Sequence, residues 1–227
     1  MVYSQTSMPA RNSVKQYVKN SHYHLYNRGV EKRKIFQDSQ DYSVFLNYLK
    51  DYLLPKDIKG LQGKLANSNL STKENDKIVK LLRLNNFSQE MTLLAYCLMP
   101  NHFHLFIKQK SADSIDKFMN SLCTRYIMYF NRKYKRVGPL FQGVYKAVLI
   151  TSEEQFLYLS SYIHKQALQS GEIPCSYLEY LGERETAWIQ PKEVLAYFSQ
   201  TNPRFSYKEF VEKIDDFTPI RNLIIED

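Results

Sequence analysis

The stretch MTLLAYCLM at 91–99 constrains the fold of this chain more than any other segment. It is almost continuously apolar, short for a helix, and followed at once by Pro100-Asn101. Such a run reads as a central strand buried on both faces. Pro100-Asn101 makes a turn and the next residues, HFHLFIK at 102–108, supply a second strand, so 91–108 is expected to be a β-hairpin.

Other elements follow from periodicity. Residues 22–26 (HYHLY) alternate as a strand that Asn27-Arg28-Gly29 ends with a turn. Residues 38–53 place Tyr42, Phe45, Leu46 and Leu49 at helical spacing, with Ser39 as the expected N-cap. Residues 55–90 are polar and rich in Lys and Asn, with one apolar patch at 78–84, and read as an insertion of helical character. Residues 114–134 form a helix with a broad stripe that includes Ile115, Phe118, Leu122, Tyr126 and Phe130. A Gly/Pro loop at 135–143 leads to a strand at 144–150. Ser152, followed by Glu153 and Glu154, then opens a helix to about 169. This order fits an α+β sandwich of ferredoxin-like or RRM-like type, an antiparallel sheet with helices on one face. Three regions are expected: a flexible basic arm at 1–19, a domain at 20–170 interrupted at about 55–90, and an acidic extension at 171–227. Helices are expected in the extension at 192–198 and 207–214.

The net charge of +8 permits an anionic partner. Its distribution says more. Residues 117–146 hold seven basic and no acidic side chains, 1–36 hold seven basic and one acidic, and 171–227 hold six basic against eleven acidic. Two basic segments and an acidic tail fit a nucleic-acid footprint better than evenly spread lysines would. Cys97, Cys123 and Cys175 are odd in number and form no CxxC pair, which argues against a disulfide framework or zinc ribbon. Residues 1–19 lack the apolar core of a signal peptide, and no run of about 18 apolar residues exists to span a membrane. A cytoplasmic protein is expected.

Two groups of residues carry chemistry. On a strand, His102 and His104 face the same way while Phe103 faces the other, so two imidazoles can share a divalent metal. The same pattern also suits two packed histidines. On the helix at 153–169, Tyr162 and Gln166 are spaced i, i+4 and share a face. Tyr158 competes with Tyr162 on that face, and His164 points away. Two imidazoles and an amide oxygen leave positions for a phosphate oxygen, and oxygen-rich shells favour Mg2+ or Mn2+.

In order and in kind, His102-Phe103-His104 followed by Tyr-x-x-x-Gln at 162–166 resembles the single-tyrosine HUH transposases. YIMYFNRKYKRVGPLFQGVYK at 126–146 and YHLYNRGVEKRKIF at 23–36 are most similar to one branch, the REP-associated tyrosine transposases. That branch often carries YIHxN where this chain has YIHKQ; Gln166 is as in the insertion-sequence branch. The similarity covers roughly residues 20–170.

The resemblance implies a metal-dependent endonuclease and strand transferase for single-stranded DNA, in the bacterial cytoplasm and associated with the nucleoid. Tyr162 would be the nucleophile and form a 5′-phosphotyrosine. His102, His104 and Gln166 would hold Mg2+ or Mn2+. The substrate would be hairpins of repeat or insertion elements, and the protein a monomer or a homodimer. Asn27, Arg28, Lys32, Arg33, Lys34, Arg125, Arg132, Lys133, Lys135, Arg136 and Lys146 are the candidate nucleic-acid contacts. Tyr129, Tyr134, Phe141 and Tyr145 are candidates to stack on bases. Three other readings remain open on the residues alone: a non-catalytic single-stranded nucleic-acid-binding module, a hydrolase using metal-bound water, and a helix-rich interaction protein. The acidic tail is a candidate to fold over the basic cleft and compete with DNA.

Overall fold

The computed structural model describes residues 17–66, 69–171 and 173–224. Most of the arm expected at 1–19 lies outside these residues. The hairpin forms as its pattern requires, with β2 (Met91–Met99) and β3 (His102–Gln109) paired antiparallel so that Met99 faces His102 across the turn. β3 also pairs antiparallel with β1 (Ser21–Arg28), and β1 with β4 (Lys146–Leu149). The sheet order is β2-β3-β1-β4. With helix α1 (Ser39–Leu53) between β1 and β2, and α4 (Ser114–Lys133) between β3 and β4, this is the ferredoxin-like arrangement.

The pleat sends Phe103, Leu105 and Ile107 of β3, with Tyr23 and Leu25 of β1, to the face covered by α1 and α4. There they meet Phe45 and Leu49 of α1 and Phe118, Leu122 and Tyr126 of α4. Full burial of each such side chain is worth about 1.5–3 kcal/mol, so this layer carries much of the stability. The cap of α1 corrects the expectation: Asp38, not Ser39, is the extended residue whose carboxylate accepts from the Asp41 amide.

Two further expectations are corrected. Helices cover both faces of the sheet, not one. α5 (Glu153–Gln169), capped by the Ser152 hydroxyl, packs Phe156, Leu159 and Ile163 on the second face against Leu94, Ala95, Cys97 and Phe106. β2 is an edge strand, not a central one. Its apolar run is buried because both faces are covered, and its outer edge is taken by the C-terminal extension. Leu98 donates to the Pro174 carbonyl (3.0 Å), Ser176 to Tyr96 (3.0 Å) and Gln190 to Leu93 (2.9 Å).

The 55–90 segment holds α2 (Ile58–Leu65) and α3 (Thr72–Arg83); Ser71 and Glu74 form a reciprocal capping box at the start of α3. Ile78 is the one buried residue of these two helices, so they stand at the periphery, while Phe87 of the same segment enters the core. The extension carries α6 (Tyr177–Tyr180), α7 (Lys192–Leu195) and α8 (Tyr207–Lys213), then a 3-10 turn at Thr218–Ile220. Among the described residues, no helix is long and apolar enough to cross a membrane.

Candidate active site

Register fixes which side chains share the second face. Residues opposite each other in an antiparallel pair point the same way. Arg28 lies opposite His102, Tyr26 opposite His104, and His24 opposite Phe106. Lys146 of β4 lies opposite Tyr26. His102, His104, His24, Tyr26, Arg28 and Lys146 therefore stand on one side of the sheet. Phe103 goes to the other side, against Phe45 and Phe141 at ring distances of 5.2 and 5.9 Å. The rings of His102 and His104 are 4.8 Å apart, and only 4% and 0% of these residues is exposed.

Hydrogen bonds assign the protons on these rings. A carbonyl only accepts, so the contact between His24 Nδ1 and the Leu223 carbonyl (2.5 Å) makes Nδ1 the protonated nitrogen of His24. Burial pushes the His24 pKa down to about 4 and holds that of His104 well below the usual histidine value, so both rings are neutral near pH 7. His24 Nε2 is then an acceptor and receives a hydrogen bond from His104 Nδ1–H at 2.8 Å. The remaining nitrogen, His104 Nε2, carries a lone pair. It is buried and has no hydrogen-bond partner among the described residues. His102 Nδ1 lies 2.6 Å from Asn101 Oδ1, which likewise leaves Nε2 as its acceptor nitrogen when the ring is neutral.

α5 brings Tyr162 onto this pair. Phe156 packs on Phe106 at 5.1 Å, and Tyr162 meets His104 edge-on at 5.5 Å. The helix thus runs antiparallel to β3, and one more turn carries half-buried Gln166 toward the His102 end. Tyr158 goes elsewhere, edge-on to Phe210. His164 does point away: its ring lies between the Tyr207 hydroxyl (2.7 Å) and Ser176 Oγ (2.8 Å), and burial lowers its pKa to about 3. The structure thus brings His102, His104 and Tyr162 together and sets Gln166 one turn beyond.

The extension covers this site. Phe217 lies edge-on to Tyr162, and the Leu223 carbonyl reaches His24. Tyr162 is 5% exposed.

The two basic segments converge on one rim beside His102. Gly29 donates to Asn101, Val30 to Leu140, and Gln142 to Arg28. Ile35 and Phe36 both donate to Pro100 at the hairpin turn. Gly29 is required here, because a Cβ would sit 2.2 Å from the Arg33 carbonyl. Lys32, Lys34, Arg132, Lys135 and Lys146 are exposed.

Other candidate contacts are engaged within the fold. Lys133 pairs with Asp38 (2.7 Å) and buried Asp41 (2.8 Å). Arg125 pairs with Asp51 (2.8 Å) and lies over the Tyr48 ring. Arg33 pairs with Glu31 (3.1 Å), and Arg136 donates to Asn131 (3.1 Å). Asn27 is buried on the far face, where it ties Gly143 and the Arg28 amide. The stacking candidates are also spoken for: Tyr129 and Tyr134 donate to Asp41, Phe141 is in the core, and the buried Tyr145 bonds Asp116. His24 and Asn101 were not among the candidate site residues. The HYH alternation at 22–24 was the available signal for His24.

Among the described residues, no three His, Cys, Asp or Glu side chains gather as a metal-ligand set. Any metal here would rest on two imidazoles and a neutral oxygen. The buried His104 Nε2 lone pair fits such a role, because a buried acceptor without a partner is costly unless a ligand completes it. The ferredoxin-like sheet thus carries a same-face histidine pair beneath a helical tyrosine. Residues 64–166 match the family described as "Transposase IS200 like", a stretch that contains His102, His104 and Tyr162 and ends on Gln166. Over these residues the chain is similar to IS200-like transposases. A solved structure described as a REP-associated tyrosine transposase bound to a REP hairpin aligns with 79% of this chain and 96% of its own, at 7% identity and a TM-score of 0.47. No curated protein sequence matches.

Proposed function

We propose that this protein is a metal-dependent endonuclease and strand transferase for single-stranded DNA, with Tyr162 as nucleophile. The observation that carries the reading is Tyr162 held edge-on to His104, whose Nε2 is a buried lone pair without a partner among the described residues. His102, His104 and Gln166 are the residues that would hold Mg2+ or Mn2+. Bound there, a divalent ion supplies Lewis-acid polarisation of the scissile phosphate.

The chain's own groups do the rest. The Tyr162 hydroxyl loses its proton and its oxygen bonds to phosphorus. The phosphorus–O3′ bond breaks, and the departing oxygen takes up a proton to become a free 3′-OH. The product is a 5′-phosphotyrosine, from which a second 3′-OH can displace Tyr162 and join strands without ATP. Arg28, opposite His102 on the same face, fixes a positive charge beside the phosphate position. Lys32, Lys34, Arg132, Lys135 and Lys146 are placed to hold backbone phosphates of a hairpin stem or its flanking strand. Phe217 packs edge-on against the Tyr162 ring, and its withdrawal would widen the approach of a phosphate to this tyrosine.

The test is a denaturing gel after incubation with a labelled single-stranded hairpin and Mn2+. A protein–DNA adduct is expected, absent in Tyr162→Phe and after chelation, and retained in Tyr158→Phe. Cleavage that persists in Tyr162→Phe without an adduct would assign the work to water instead. Binding without cleavage in any metal would leave a nucleic-acid-binding module.

A further inference from the structure

We propose that His24 is a positioning residue for the metal site: it fixes the Nδ1–H tautomer and ring plane of His104, and takes its own orientation from the Leu223 carbonyl. The inference rests on reading His102 and His104 as ligands.

The geometry is a relay of two bonds with one direction. The Leu223 carbonyl accepts from His24 Nδ1 (2.5 Å), and His24 Nε2 accepts from His104 Nδ1 (2.8 Å). A backbone carbonyl has no proton to give, so the relay cannot run in reverse while the rings are neutral. Its free end is the His104 Nε2 lone pair. The two imidazoles also stack, with centroids 5.0 Å apart and planes inclined by 21°, and His24 packs against Tyr26 at 4.8 Å. Both histidines are fully buried, so no water substitutes for a lost partner. Removing the acceptor at His24 would leave His104 Nδ1–H unpaired. The ring could then satisfy neither nitrogen without rotating or moving its proton to Nε2, the nitrogen a metal needs bare. Partners of this kind fix the ligating tautomer, and their loss typically lowers metal affinity by about 10–100-fold. The carbonyl belongs to the C-terminal extension, so the segment that covers the site also sets the proton on one of its histidines.

The experiment uses the full-length chain and Mn2+ alone. Free Mn2+ is counted by electron paramagnetic resonance for wild type, His24→Leu, His24→Gln and His102→Ala, with thermal melts to confirm folding. Ring ¹⁵N shifts of His104 are recorded on the metal-free wild type and variants. His24→Leu is expected to bind Mn2+ about 10–100-fold more weakly. His24→Gln, whose amide both donates and accepts, should recover most of that loss. In wild type, His104 Nε2 should show the shift of an unprotonated nitrogen and lose it in His24→Leu. Wild-type affinity in His24→Leu, or a protonated Nε2 in wild type, overturns the proposal. Wild-type affinity in His102→Ala would instead overturn the ligand reading, and the ¹⁵N shifts then decide on His24 by themselves. Should His24→Leu not fold, the wild-type shifts and His24→Gln remain decisive.

Discussion

Phe217 rests edge-on against Tyr162, ring centroids 5.4 Å apart and planes at 77°. One residue belongs to the helix that would carry the nucleophile and the other to the segment that closes over it. An aromatic pair of this geometry is worth about 0.5–1.5 kcal/mol beyond its area. Removing it should favour the opened site by a similar amount. Phe217→Ala is expected to speed adduct formation several-fold, up to about tenfold, with a small fall in melting temperature. Single-turnover gel assays at saturating DNA check this; an unchanged or slower rate contradicts it.

The buried histidines set a pH dependence for the fold. The folded pKa of His24 is lowered to about 4 and that of His164 to about 3, both by burial. An unfolded histidine titrates near 6.5. In between, the unfolded chain binds more protons than the folded one, so stability rises with pH. Their contribution is complete above about pH 6.5 and is lost as pH falls toward 4 for His24 and toward 3 for His164. Each should cost about 1.4 kcal/mol per pH unit inside that window. Melting temperatures of metal-free protein between pH 7 and 4.5 test this, with His164→Gln expected to flatten the curve.

Two neighbouring lysines should separate stability from binding. Lys133 holds Asp41, which is 0% exposed, and Lys133→Ala should cost about 1.5–3 kcal/mol in urea unfolding. Its direct effect on DNA affinity should be small. Lys135 is exposed, and Lys135→Ala should leave stability nearly unchanged. It should weaken hairpin binding at low salt and reduce the slope of log affinity against log salt by about one. The reverse pattern would exchange their roles.

Cys97 and Cys175 lie opposite each other in an antiparallel bridge. The Leu98–Pro174 and Ser176–Tyr96 bonds on either side make them a non-hydrogen-bonded pair. Such pairs have Cα atoms about 4.5 Å apart, within the range a disulfide spans. With oxidised glutathione, the two thiols should form one disulfide while the oxidant becomes two molecules of reduced glutathione. Peptide mass spectrometry should find Cys97 joined to Cys175 and Cys123 outside that link. A mixed disulfide alone on Cys175 would contradict the facing geometry.

Much of the frame was legible because it is local. Period two gave β1, the apolar run and the turn after it gave the β2–β3 hairpin, period 3.6 gave α1 and α4, and the Ser152 cap with its acidic first turn gave the start of α5. What the pattern at 91–99 could not tell was where β2 sits: an apolar run reports two covered faces, not the number of neighbouring strands. Beyond β3, the partners on its outer edge are Pro174, Ser176 and Gln190, far along the chain. The helix cap turned on one residue, since Asp38 and Ser39 are both capping types and only the extended backbone at Asp38 selects it. At the site, the spacing of His102 and His104 brought them to one face; helical spacing left Tyr158 and Tyr162 both on the facing side, and only the Tyr-x-x-x-Gln order of the resemblance favoured Tyr162. His24 escaped because the HYH alternation at 22–24 marks only a strand face, while its role depends on the register of β1 against β3 and on a main-chain carbonyl. Lys133 and Arg125 looked free for phosphate because Asp41 and Asp51 are remote in sequence from α4.

The covered edge of β2 has a consequence for how copies of the molecule can meet. An open strand margin is an invitation for another chain to zip on, and here the same chain has already taken up that margin with Pro174, Ser176 and Gln190. Joining two sheets through β2 would first require peeling back residues that continue into Phe217 and Leu223. Self-association along that side would therefore come at the expense of the cover over Tyr162 and the anchor of His24, linking the company a molecule keeps to the state of its own site.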